Sequence, residues 1–195
     1  MARRALILGS IVALLAVPAA AELRPAPVAI GFGVSVPYSL PLDWSGSFSY
    51  LSAEGLLSEN LTVLFDLGAY PGSFPNLYET GGILLVKGWV GPTAVYAGGG
   101  VSIQWLRVGG AWAIHPFLDL RAGYQIWLRD SFAIVIQFRT LQVIPLSWSF
   151  SPEIALGFDI GLGRGRPIAP RFDGGYIWLI LGLGVAALLA FLPRN

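Results

Sequence analysis

Residues 148–162 read Trp-Ser-Phe-Ser-Pro-Glu-Ile-Ala-Leu-Gly-Phe-Asp-Ile-Gly-Leu, and their alternation decides the fold. Trp148, Phe150, Ile154, Leu156, Phe158, Ile160 and Leu162 fall on one parity. Ser149, Ser151, Glu153, Ala155, Gly157, Asp159 and Gly161 fall on the other. A strand turns successive side chains to opposite faces, so a period of two gives one bulky apolar face and one face of small and charged residues. A helix would scatter both sets around its circumference.

The same period recurs upstream. Residues 28–36 set Val28, Ile30, Phe32, Val34 and Val36 against Ala29, Gly31, Gly33 and Ser35. Residues 61–70 place Asp66 opposite Val63, Phe65 and Leu67, and residues 82–90 place Lys87 opposite Leu84, Val86 and Val90. Residues 93–105 turn Val95, Ala97, Val101, Ile103 and Trp105 away from Gly98, Gly100, Ser102 and Gln104. Residues 116–128 turn Leu118, Leu120, Ala122, Tyr124, Ile126 and Leu128 away from Asp119, Arg121, Gly123 and Gln125. In residues 132–140, Phe132, Ile134, Ile136 and Phe138 oppose Gln137 and Arg139. Residues 44–57 are the least regular and suggest a bulge. The count is eight strands.

A packed soluble barrel keeps bulky apolar residues inside and charges outside. In these strands the charges share the face that carries Gly, Ser and Gln, while the bulky face is continuous. That is the pattern of a polar lumen inside a lipid-facing wall. The strands are also long enough for the nine to eleven residues, or about that number, that a tilted strand needs to cross hydrocarbon. Connections alternate in length. Ser58-Glu59-Asn60, Gly91-Pro92 and Arg129-Asp130 read as tight turns; 37–43, 71–79, 106–115 and 141–147 read as longer loops. Trp44, Tyr70, Trp89, Trp105, Trp112, Trp127 and Trp148 lie near strand ends, where interfacial aromatic girdles form.

Composition agrees. The chain of 195 residues is 55% hydrophobic and only 12% charged, with 25 glycines and 13% aromatics. A net charge of +1 offers no basic field for nucleic acid, and the absence of cysteine excludes disulfides, thiolate metal sites and thiol nucleophiles. Residues 1–21 open Met-Ala-Arg-Arg, run apolar from Ala5 to Val17 and reach Ala19-Ala20-Ala21. They read as a secretory signal peptide cleaved after Ala21. The barrel then occupies 22–162, and a Gly/Pro/Arg linker 163–175. Residues 176–192 form an uncharged apolar helix of about 25 Å, read as either a retained anchor or a sorting tail.

Over residues 28–162 the chain resembles the small eight-stranded outer-membrane barrels of the OmpA/OmpX class. Barrels of that class end in an assembly signal of the form Gly-x-x-apolar-x-apolar, and Gly157-Phe158-Asp159-Ile160-Gly161-Leu162 looks like it. Leu156 departs from the pattern, standing where a polar residue is usual, and so does the segment's position short of the chain end. The resemblance implies an all-β, antiparallel up-and-down transmembrane barrel in the outer membrane of a diderm bacterium. Its implied partners are membrane lipids and the outer-membrane assembly machinery.

The expected lumen face carries Glu54, Asp66, Lys87, Asp119, Arg121, Arg139, Glu153 and Asp159. An eight-stranded barrel is just wide enough for side chains to fill it, so these charges are read as a structural network of ion pairs. His115 lacks an adjacent serine motif, and Gly98-Gly99-Gly100 lacks the lysine and hydroxyl of a phosphate loop. No catalytic, cofactor or metal site is expected. The functional expectation is a non-enzymatic structural or surface-interaction barrel that contacts lipopolysaccharide or another envelope protein. A narrow channel or a carrier of small or hydrophobic solutes is the alternative.

Overall fold

A computed structural model describes residues 26–37, 46–73, 75–90, 92–143 and 150–163. The expected signal peptide, nearly all of the linker, and the apolar helix lie outside the described residues. Eight strands follow in chain order: β1 (Val28–Pro37), β2 (Phe48–Leu56), β3 (Leu61–Ala69), β4 (Leu77–Val90), β5 (Thr93–Val108), β6 (Ala111–Arg129), β7 (Phe132–Val143) and β8 (Phe150–Leu162). Each pairs antiparallel with the next, and β1 pairs with β8 from Val28↔Leu162 to Pro37↔Glu153, closing the barrel. Closure leaves no strand edge along the wall, so the backbone hydrogen bonds of the sheet are made within the barrel. Both ends of the barrel segment, Val28 and Leu162, lie at one rim, called here the near end; the other rim is the far end.

Burial is inverted relative to a soluble protein. Phe65, Leu156, Leu51 and Leu67 are more than half exposed on the outer wall, whereas Asp119 and Glu79 are 0% exposed inside it. Such an outer wall is stable only against an apolar solvent, because each large side chain left in water forgoes about 1.5–3 kcal/mol. The alternating pattern of β1, with Ala29 and Ser35 buried and Val28, Ile30, Phe32 and Val34 exposed, follows the parity of its sequence.

Three details differ from expectation. The 106–115 segment is not a loop: β5 and β6 continue through it and meet in a two-residue turn at Gly109-Gly110, whose φ angles are +59° and +89°. Two adjacent positive φ values favour glycine and match the right-handed twist of the flanking strands, so a long hairpin forms where a longer loop was expected. β4 starts at Leu77, which brings Glu79 into the wall instead of the loop. β2 keeps an unbroken register from Phe48 to Leu56, and a shift in register falls instead between Trp127 and Arg129 in the β6–β7 ladder.

Candidate functional site

Inward parity stacks the lumen in layers, and β4 displays the order from the near end upward: Trp89, Lys87, Leu85, Ile83, Glu79. Trp89 and Trp127 are buried with Ala26, Ala29, Ala94 and Ala133 and form an apolar stopper at the near end. Trp89 Nε1 donates to the carbonyl of Glu59 at 3.0 Å. This corrects the girdle expectation for Trp89 and Trp127, which share the parity of Lys87 and Gln125 and therefore point inward. Tyr70 likewise turns in, donating to Glu79 Oε2 at 2.9 Å. Trp44 and Trp148 lie outside the described residues.

Above the stopper sits a polar layer. Lys87 Nζ pairs with Glu54 and donates to Gln125 Oε1 at 2.7 Å. Gln125 Nε2 then donates to Asp159 Oδ2 at 2.5 Å and reaches Glu54 Oε2 at 3.2 Å. One glutamine on β6 thus links two carboxylates and a lysine contributed by three other strands. Next come Leu64, Ile83, Leu85, Tyr96 and Val135, an apolar layer over which Tyr96 Oη donates to Gln137 Oε1 at 3.1 Å.

The upper layer is a denser ionic cluster. Arg121 donates through Nε and Nη2 to Asp119 at 3.0 and 2.7 Å and lies 2.5 Å from Asp66 Oδ2. Arg139 donates through Nε and Nη2 to Asp119 Oδ2 at 3.0 and 2.7 Å, pairs with Glu79, and lies 3.6 Å from Glu153. Ser102 Oγ donates to Asp119 Oδ2 and Ser35 Oγ to Glu153 Oε2, each at 2.7 Å. Gln104 Nε2 donates to Tyr70 Oη at 2.9 Å and to Glu79 Oε2 at 3.1 Å. Phe48 lies under the Arg139 guanidinium at 5.2 Å.

All eight charged residues named from the sequence are buried, at 7% exposure or less. They fall into two clusters: Glu54, Lys87 and Asp159 below, and Asp66, Asp119, Arg121, Arg139 and Glu153 above. Glu79 falls within the expected 71–79 loop, although Tyr78, Thr80 and Gly82 continue the outward parity of β4. Gln125, Ser102 and Gln104 were on the expected lumen face but were not named as partners. A cavity of about 20 Å³ between the layers is lined by Tyr50, Ser52, Glu54, Gln125, Gln137 and Asp159 among others; this is space on the order of one water molecule. His115 is exposed on β6 opposite Gln104. At Gly98 and Gly100 an added Cβ would meet backbone atoms of β4, so this run serves close strand approach. Among the described residues no group of His, Asp and Glu side chains forms a metal-holding cluster.

No protein-family model and no curated protein sequence matches the chain. Among solved structures it is similar to the N-terminal β-barrel domain of Pseudomonas aeruginosa OprF, with a TM-score of 0.58 at 11% identity over 70% of this chain and 98% of that one. Neisserial surface protein A gives a TM-score of 0.49 at 15% identity over 69% and 96%. Ail, the attachment invasion locus protein of Yersinia pestis, gives 0.44 at 12% identity over 70% and 98%. The closed eight-stranded topology and the likeness to the OprF domain give the fold, that of the small eight-stranded outer-membrane β-barrels.

Proposed function

We propose that the chain resides in the outer membrane of a diderm bacterium as a structural or surface-interaction barrel, without catalytic activity. The observation that carries this reading is the combination of an apolar outer wall with a lumen filled by paired charges and stoppered by Trp89 and Trp127. A barrel of this kind offers its partners the outer wall and the far-end connections, while its inside is committed to holding itself together. The low-dielectric interior makes each unpaired charge costly, so the clusters are most stable when fully occupied by their own partners. The likeness to the OprF barrel domain supports the fold on which this reading rests. The expected partners are lipids, the outer-membrane assembly machinery, and a lipopolysaccharide or envelope protein at the far end.

Single-channel recording in planar bilayers tests the closed lumen. The refolded chain is expected to give no steady conductance. A steady conductance that changes with Arg139→Ala would replace the structural reading with the channel. Density-gradient fractionation of cell envelopes tests the location, with migration alongside outer-membrane markers expected.

A further inference from the structure

The far end of the β4–β6 sector places one cation among aromatic side chains on the outer wall. β5 and β6 are 16 and 19 residues long and outrun their neighbours. The β4 ladder stops at Leu77↔Leu106 and the β7 ladder at Phe117↔Val143. On the outward parity, Tyr78, Trp105 and Ile114 form one row across the three strands, and Arg107 stands directly opposite Trp112 in the next row. Trp105 Nε1 donates to Thr80 Oγ1 at 3.3 Å on this same face, and the rings of Tyr78 and Trp112 lie 5.9 Å apart. Arg107 is exposed and forms no ion pair with any described residue. Trp112 and Ile114 are about half exposed, at 50% and 55%.

Two observations select the occupant. The apolar wall runs without interruption from this cluster down through Ile103, Val101, Leu118 and Leu120, the surface that faces acyl chains. The climb from Leu128 to Ile114 is roughly 35 Å at about 3.4 Å per residue and about 40° of tilt, against a hydrocarbon band of about 25 Å. Tyr78, Trp105, Arg107 and Trp112 therefore stand at head-group level. Tryptophan and tyrosine suit that boundary, and a guanidinium presents paired donors that match a phosphate.

We propose that Arg107, with Tyr78, Trp105 and Trp112, binds the phosphate-bearing head group of an acylated glycolipid in the outer leaflet. The site rests on the outer-membrane reading above and gives it a partner. Arg107 holds the phosphate, the aromatic rings cover the head group, and the wall below takes the acyl chains.

The test uses the full chain refolded in detergent micelles with diphosphorylated lipid A, and native mass spectrometry to count retained lipid and rank affinity. At least one retained lipid A is expected, bound roughly tenfold more weakly by Arg107→Gln, the loss expected for one charge-assisted contact. Trp112→Ala weakens retention as well, and Arg129→Gln, an exposed cation at the near end, leaves it unchanged. Retention indifferent to Arg107→Gln, or equal retention of uncharged diacylglycerol, overturns the proposal. So does a dimer that Trp112→Ala dissociates without altering lipid retention. A wild-type chain that fractionates with outer-membrane markers but shows Arg107-indifferent retention overturns the site alone. A chain that fractionates elsewhere but retains lipid A through Arg107 overturns the location alone.

Discussion

Arg121 and Arg139 are direct cross-strand partners in the β6–β7 ladder, and Asp119 accepts hydrogen bonds from both. Like charges directly opposite one another destabilise a sheet, and burial inside the barrel removes the water that would screen them. Asp119 resolves the conflict from two residues along β6, with Asp66 pairing with Arg121 and Glu79 with Arg139. Replacing Asp119 by Asn keeps the shape and removes the shared charge. Asp119→Asn is expected to lower stability by about 3–5 kcal/mol, the range for breaking a buried ion pair. Urea titration of the folded, heat-modifiable gel band in lipid vesicles reads this directly. Glu153→Gln, which loses only the 3.6 Å approach to Arg139 and keeps an acceptor for Ser35, is expected to cost clearly less.

The lower cluster makes a different prediction, because a single described cation offsets two carboxylates there. Lys87→Met leaves the carboxylates of Glu54 and Asp159 facing one another across Gln125 with no described cation in their layer. The single variant is expected to be strongly destabilised, and adding Glu54→Gln to recover part of the loss. Coupling within one network is typically about 0.5–3 kcal/mol, so the double-mutant cycle has a measurable residue. Strict additivity of the two substitutions would show that the pair does not act as a unit.

How much of this was legible beforehand depends on the length scale of each signal. β1, β7 and β8 were readable because their alternation is uninterrupted, and the parity of Asp66, Lys87, Arg121 and Arg139 follows from local sequence alone. Which cation meets which carboxylate was not readable, since Arg139 and Glu79 are sixty residues apart and meet only through barrel closure and stagger. Pro71, Gly72 and Pro75 announce a turn, but the turn is shorter than the 71–79 loop they suggest, and β4 begins at Leu77, before Glu79. At Trp89 and Trp127 two signals conflict: parity with Lys87 and Gln125 points them inward, whereas aromatics near strand ends commonly collect at membrane boundaries. Gly109-Gly110 is a strong hairpin signal that lies inside the segment expected as the 106–115 loop.

That hairpin carries its own expectation. Gly109 and Gly110 have open space around their Cα atoms, so only backbone conformation limits substitution there. Ala at both positions is expected to cost roughly 1–2 kcal/mol per residue locally, from the left-handed conformation each would adopt. The loosened tip becomes a site of limited proteolysis between Arg107 and Trp112. The urea midpoint of the barrel stays close to wild type, because the tip lies beyond the last β4 and β7 pairings. Equal protease resistance in both proteins would mean that the turn does not hold the hairpin.

The two sides of the wall are distinguishable by tryptophan fluorescence. Trp105 and Trp112 lie on the outer parity near the far end, whereas Trp127 is 1% exposed within the near-end stopper. In vesicles of lipids brominated at the head-group end of their acyl chains, quenching requires close approach from the lipid phase at the level of Trp105 and Trp112. Trp127→Phe is expected to leave the quenched component almost unchanged and to remove signal from the unquenched one, while Trp105→Phe does the reverse. Trp89→Ala combined with Trp127→Ala removes the stopper and leaves the two ionic clusters in place above it. If those clusters close the lumen by themselves, planar-bilayer recordings of the double variant stay silent. If the variant conducts while the wild type does not, the tryptophans are the seal, and the charges above them serve the stability of the wall.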